Sequence, residues 1–458
     1  MVPSFAGRLY LRDSEGYEQA RAGRVFNLRR PGRYPAAVLL ASDSGDVVAG
    51  VRWAAACGWR VAVRAGGHSW AAWSVRDDVL LIDLGEFRSM SLDASTGIVT
   101  AGPAVRGGLD LDPYLAERGR FFAGGHCPTV GLGGFLLQGG MGWNARGWGW
   151  AAESIEAIDV VTADGSLVRA SASENSDLFW AARGSGPGFC GVVTRFHLRT
   201  RPRFCAARHT AHVYPMDCFD EVMTWLSELH LTVSPDVEIV AVGMYPPAEL
   251  GLPDEPVLVV TGLALSPDDA SAVAALAPLE TCPLLPRALA VKSAEPTTLA
   301  EQRAEQIRMN PEGHCYAVSN AYLDGPVASQ VAALRAAFGT LPSRQTFVIW
   351  FSMGPQRALP DMALSLQTDA YFAAYVIWPP SSGDGESCSR WLAERMTELE
   401  PVTAGQYLGD SDFTVRQHRF MSDDAWRRFQ AIRDARDPGR LFADYLCADQ
   451  ATLNSPCS

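Results

Sequence analysis

His68 and Cys127 are the two residues of this chain whose types most invite chemistry, and both sit in bare backbone. His68 lies in "VRAGGHSW" (63–70) and Cys127 in "GGHCPTVGLGGFLLQGG" (124–140). An imidazole and a thiol can form a nucleophile–base dyad, but no hydrolase signature surrounds them. With neighbouring His126 they could ligate a metal, yet their spacing matches no ordinary zinc pattern. They could also be a packed thiol and a capped ring. The glycines point elsewhere. Gly66, Gly67, Gly131, Gly133, Gly134, Gly139 and Gly140 are among nine in these two stretches, with Gly142 just beyond. Glycine lets backbone approach a ligand closely, and successive bare amides form anion-binding concavities. A pyrophosphate is the guest such loops suit. The common nucleotide signatures are absent: "GLGGFLLQGG" and "GSGPGFCG" miss the G-x-G-x-x-G fingerprint, and no G-x-x-x-x-G-K-[ST] occurs.

These loops need elements to hold them. "DVVAGVRWAAACG" reads as an amphipathic helix from Asp46, closed by Gly58. "WRVAVR" (59–64) is a strand that Gly66 and Gly67 break, and "VLLIDL" (79–84) is a second. Two strands flank Asp164–Gly165, a favoured hairpin pair. "GVVTRFHLRT" (191–200) is a strand ending near Pro202. This part reads as an α/β alternation. Beyond Pro202 the glycine-rich loops thin out. The helix "DCFDEVMTWLSELH" (217–230) and the strands "VEIVAVGMY", "PVLVVTGLAL", "QTFVIWFSM" and "AYFAAYVIW" suggest a second sheet. A last helix stops before Pro438 and is expected to dock on the first domain.

Composition sets outer bounds. The 458 residues are 48% hydrophobic and 20% charged, an ordinary globular profile. The net charge of -12 argues against a nucleic-acid partner, which favours a basic surface. Apolar runs such as "PVLVVTGLAL" are about half the roughly 20 residues of a spanning helix, so no membrane partner is expected. No secretory signal is read at the N-terminus. Ten cysteines without C-x-x-C pairs suggest a reducing, cytoplasmic setting with mostly buried thiols. Lys292 is the single lysine among 39 basic residues, which reads as the codon bias of a GC-rich, bacterial genome.

The two loops resemble the flavin-attachment loops of the berberine bridge enzyme-like oxidases, in the vanillyl-alcohol oxidase superfamily. The resemblance extends to "RYPAAVLLASDSGDVVAGVRWA", "IEAIDVVTADG", "DLFWAARGSGPGFCGVVTRFHL" and the terminal "RDPGRLF". It implies an α+β fold: a PCMH-type FAD-binding domain of two α/β subdomains, plus a substrate domain with an antiparallel sheet backed by helices. The implied boundaries are 1–202 for the FAD domain (core about 33–202), 203–404 for the substrate domain, and 405–458 for a segment returning to the FAD domain. FAD is then attached at two points, the flavin 8-methyl carbon to His68 and C6 to Cys127. Arg64, Ala65, Ser69, Trp70, Thr129, Val130, Trp143, Ile158 and Val192 join the glycines as cofactor contacts. No metal is expected.

The implied reaction takes hydride from a C–H beside an alcohol or amine of a small molecule. O2 is the expected acceptor, releasing hydrogen peroxide, and natural-product tailoring the expected setting. Oligosaccharide oxidation or dehydrogenation is the alternative, and a flavin-binding protein without turnover the alternative of another class. The catalytic candidates are Tyr407 and Tyr375. Tyr407 matches the tyrosine of the family's Tyr-x-Asn element, but in "QYLGDSDF" Gly409 replaces the asparagine. A nearby Asp410 would raise the tyrosine's pKa. Tyr371, Ala373 and Tyr375 share one strand face by period two. Trp70, Trp73, Trp143, Trp148 and Trp150 are candidates to wall the cofactor or simply to pack. His126 is a possible positive charge beside the thiol.

Overall fold

The computed structural model describes residues 2–446, so the end of the 405–458 segment lies outside the described residues. The first part of the chain builds two sheets. One orders the strands Arg8–Leu11, Ala37–Leu40, Val79–Asp83 and Arg60–Arg64, the last three parallel. The other is antiparallel and orders Met90–Asp93, Ile98–Ala101, Val192–Arg199, Ile155–Val161 and Leu167–Ser171. The Asp164–Gly165 turn closes the last hairpin, with Gly165 at φ 75°.

The helix expected from Asp46 spans Ser44–Cys57, two residues earlier at its start. Its cap is Asp43, whose side chain accepts the Asp46 N–H. Asp46 is thereby freed to receive the N–H groups of Ala6 and Gly7 at 2.7 and 2.8 Å, which ties down the N-terminal segment. Gly58 ends the helix in the left-handed region.

The second part is an eight-stranded antiparallel sheet. Its order is Ala290–Pro296, Ala206–Pro215, Val257–Ser266, Val237–Met244, Phe347–Ser352, Ala370–Trp378, Cys315–Leu323 and Thr403–Gly405. The four strands read from sequence here agree to within two residues at each end, whereas Ala206–Pro215, Ala290–Pro296 and Cys315–Leu323 were not among them. One face packs on the helices Phe219–Leu229, Asp269–Leu276, Val327–Gly339 and Gly385–Leu399 through Val222, Leu276, Phe338 and Leu392. Period two sorts the Ala370–Trp378 strand as expected. Phe372, Ala374 and Val376 face those helices, while Tyr371, Ala373 and Tyr375 face away.

The helix Asp423–Arg436 ends at Asp437, before Pro438, and packs on the first part of the chain. Arg436 pairs with Asp177 at 2.7 Å. Beyond it, Leu441 and Ala443 exchange backbone hydrogen bonds with Val61 at 2.7 and 2.8 Å, so the chain end is stitched to the strand that leads into the His68 loop.

That strand is held from its side chains too. Arg64 and Asp83, each 1% exposed, form an ion pair at 2.6 Å across the parallel strands, and Arg24 also pairs with Asp83. Arg64 gives its remaining N–H groups to the carbonyls of Ala20 and Arg21. Removing one member of such a pair leaves a buried charge uncompensated. Asp83→Ala is expected to cost about 3–5 kcal/mol, read as a lower denaturant midpoint. A loss under about 1 kcal/mol would show the pair to be incidental.

Candidate functional site

The two loops meet backbone to backbone. A Cβ on Gly66 would lie 2.8 Å from the Gly131 nitrogen, and one on Gly131 would lie 3.0 Å from the Gly66 Cα. Only glycine allows that approach, so part of the glycine content serves the loop–loop contact rather than a ligand. Between them the loops wall a cavity of about 810 Å³. His68 and Cys127 both line it. The backbone N–H groups of Gly66, Gly67, His68 and Ser69 make no hydrogen bond within the described residues. Such a row of free donors suits a polyanionic or heteroaromatic guest. Leu132 and Gly133, by contrast, give their N–H groups to Val105 and Pro103 at 2.9 and 2.8 Å.

The sequence-read cofactor residues separate into three groups. Arg64, Ala65, Gly66, Gly67, His68, Ser69, Trp70, Cys127, Val130, Gly131, Gly133, Gly134 and Trp143 line the cavity. Thr129, Gly139 and Gly140 lie just behind its wall; Thr129 Oγ1 sits 3.4 Å from Cys127 Sγ. Ile158 and Val192 are fully buried in the core instead, because their side chains fill the interior of the five-stranded sheet. Gly191 and Val193, the neighbours of Val192, reach the cavity. Arg64 lines the cavity while its guanidinium bonds Asp83 and two carbonyls, so it also braces the loop. Of the tryptophans, Trp70, Trp73 and Trp143 line the cavity, whereas Trp148 packs on Phe121 and Trp150 on Tyr407.

Electrostatics distinguish His68 from Cys127. Burial holds the His68 imidazole down at about 4, so it is neutral at neutral pH and keeps a lone pair for bonding. Phe26 stacks on it at 4.4 Å and fixes the ring. Burial pushes the Cys127 thiol up, against a smaller pull from Thr129. The thiolate form is therefore not favoured by this loop. His126 does not stand free beside it. Its Nε2 lies 3.0 Å from both carboxylate oxygens of Glu238, and its ring packs on Trp143 at 4.4 Å. Glu238 also accepts the Asn144 N–H at 2.6 Å. Glu238 could have been noticed as the lone charge in the apolar strand "VEIVAVGM".

The opposite wall is the helix-free face of the eight-stranded sheet, with Val240, Val242, Val259, Ile349 and Phe351. Tyr375 and Tyr407 both reach the cavity, from different elements. Tyr375 stacks on Phe347 at 4.7 Å. The Tyr407 hydroxyl accepts the Met141 N–H at 3.1 Å. Desolvation and the charge of Asp410 raise its pKa further above the usual phenol value, as the sequence suggested. Its segment is clamped by Asn320, which donates to the carbonyls of Tyr407 and Asp410 and accepts the Tyr407 N–H at 2.7 Å. Asn320 is fully buried and gives no local signal in the sequence.

Gly409 has a steric reason. A Cβ there would fall 2.4–2.7 Å from the Tyr407 ring and hydroxyl. The ring occupies the space that an asparagine side chain would enter. Gly409→Asn is therefore expected to displace the ring and break its bond to Met141, at a cost of about 1–2 kcal/mol. A crystal structure of the variant checks this: the Tyr407 Oη to Met141 N distance should leave hydrogen-bonding range.

Residues 35–171 match the family model described as FAD binding domain. The FAD-linked oxidoreductase ptmO of Penicillium ochrochloron is 35% identical over 429 residues, 93% of this chain and 93% of that protein. Among solved structures, Physcomitrella patens BBE-like 1 superposes with a TM-score of 0.82 at 20% identity, over 96% of each chain. Glucooligosaccharide oxidase from Acremonium strictum, described with a 6-S-cysteinyl, 8α-N1-histidyl FAD, gives 0.82 at 19% identity over 97% of each chain. The glycine loops, the cavity they wall and this likeness over nearly the whole length agree: the chain belongs to the FAD-linked oxidoreductase family and has the fold of the berberine bridge enzyme-like proteins.

Proposed function

We propose that this enzyme carries FAD bonded to both His68 and Cys127 and oxidises a C–H beside oxygen or nitrogen in an apolar small molecule, with O2 as acceptor. The observation that carries this reading is the pairing of walls in one cavity. His68 and Cys127 stand on one side, and an aliphatic and aromatic sheet face stands on the other. Bound there, FAD supplies a two-electron acceptor for the C–H bond. The chain's own residues supply the rest. The 66–69 amides and the paired loops hold the cofactor, the neutral His68 offers a bonding lone pair, and Val240, Val242 and Ile349 exclude water around the substrate. The doubly anchored flavin of glucooligosaccharide oxidase supports the two bonds. Buried free thiols at Cys190, Cys218, Cys282, Cys315 and Cys388 suit a reducing, cytoplasmic setting.

Carbohydrate oxidation is the second reading, favoured by the xylooligosaccharide oxidase of Thermothelomyces thermophilus, 40% identical over 177 residues. A sugar presents many hydroxyls, each costly to bury without a partner. His209, Thr261, Lys292 and Gln302 in the lining could pair with some of them, whereas Val240, Val242 and Ile349 offer none and suit an apolar substrate.

Intact-chain mass after acid precipitation tests attachment. Wild type, His68→Ala and Cys127→Ala should each retain one FAD, and the double variant none. Flavin bleaching without oxygen then tests the substrate class. Apolar cyclic alcohols and amines, such as 1-indanol and 1-aminoindane, should reduce the flavin, and cello- and xylo-oligosaccharides should not. Bleaching by the sugars alone would establish the second reading. Bleaching by nothing would leave a flavin-binding protein without turnover.

A further inference from the structure

Asp410 lies next to the glycine that replaces the family's asparagine, and it lines the cavity with Tyr375 and Tyr407. Its carboxylate is held from two sides. Trp70, on the His68 loop, donates its indole N–H to Oδ1 at 3.2 Å, and Tyr371 donates its hydroxyl to Oδ2 at 2.8 Å. Tyr375 lines the same cavity. Asn320 fixes the backbone beneath it. An ionised carboxylate has about four acceptor positions, so this arrangement orients the group and leaves it able to accept from the cavity.

Tyr407 is placed differently. Its oxygen already accepts a backbone N–H, and the neighbouring carboxylate disfavours its ionisation. It can donate a hydrogen bond to a substrate, but it is a poor proton acceptor.

We infer that Asp410, rather than Tyr407, is the catalytic base of this enzyme, with Trp70 and Tyr371 as its positioning residues. The assignment rests on the oxidoreductase reading above. The substrate O–H or N–H bond breaks, its electron pair stays on the heteroatom, and the proton forms an O–H bond on Asp410. The adjacent C–H leaves as hydride to the family's oxidant, FAD, so the substrate loses two electrons and two protons overall. The groups facing the carboxylate are Tyr371 and Tyr375 on one strand, Tyr322 on the next, Tyr407 beside it, and His126 across the cavity. Desolvation raises the Asp410 pKa above the usual carboxylate range, while its donors and His126 pull it down. A base works deprotonated, so the rate falls as pH drops through that pKa.

The test is anaerobic flavin reduction of the holoenzyme against pH, using the fastest reductant among the alcohols and amines above. Asp410→Asn should retain the FAD mass and bind 1-indanone within a few-fold of wild type, read by flavin absorbance. Its reduction should slow by about 10²–10⁴-fold and lose the acid limb. Asp410→Glu should restore part of the rate. Tyr407→Phe should keep the limb. Tyr371→Phe, which removes one donor, should move the limb to higher pH and covers the case in which Asp410→Asn does not fold. An unmoved limb in Tyr371→Phe, or a limb lost in Tyr407→Phe but kept in Asp410→Asn, overturns the assignment. If the oligosaccharides alone reduce the wild-type flavin, the same profiles are measured with them; if nothing reduces it, the oxidation reading itself fails and the assignment falls with it.

Discussion

The contact of bare backbone between Gly66 and Gly131 is the constraint on which the site depends. It brings two loops, 59 residues apart from His68 to Cys127, to van der Waals distance. A methyl group at either position would separate them by an amount that neither loop could absorb, because each backbone is anchored just outside the contact. On one side, Arg64 is locked to Asp83 and the strand Arg60–Arg64 is stitched to the chain end at Leu441 and Ala443. On the other, Leu132 and Gly133 are tied to Val105 and Pro103. The cavity therefore has one rigid wall carrying both His68 and Cys127, and rigidity there is what a precisely oriented ligand needs.

The facing wall is built on a different principle. It is the second face of an antiparallel sheet whose first face is sealed by helices. Such a face is normally left to solvent, and here it is apolar instead. Val240, Val242 and Ile349 are exposed to the cavity because something else is meant to cover them. Polar side chains such as His209, Thr261, Lys292, Gln302 and Arg308 also line the cavity. Two carboxylates tie its walls together, Glu238 to His126 and Asp410 to Trp70 and Tyr371. Each of these carboxylates comes from one half of the molecule and bonds a residue from the other.

Much of this was legible in the residues. Alternation in "AYFAAYVIW" placed Tyr371 and Tyr375 on the same face. Glycine clustering and the lone His68 and Cys127 marked the loops. The helix ahead of them was misread by two residues, because Asp43 and Asp46 are both capable caps and only the tertiary contact with Ala6 and Gly7 assigns Asp46 elsewhere. The resemblance implies Ile158 and Val192 as cofactor contacts. Strand alternation sends their side chains into the core and sends Val193 to the cavity.

The sequence by itself marked the glycine loops and many of the strands, through local periodicity and turn chemistry, and its motifs carried the family resemblance. It also showed that Gly409 departs from the family's pattern. Only the tertiary structure decided what that departure means. The Tyr407 ring folds into the space above Gly409, Asn320 reaches from another strand to clamp the segment, and Asp410 is turned toward Trp70 and Tyr371. Those partners lie 39 to 340 residues away in the chain. Hydrogen bonds of such reach follow from how the walls are packed, and no local pattern encodes them.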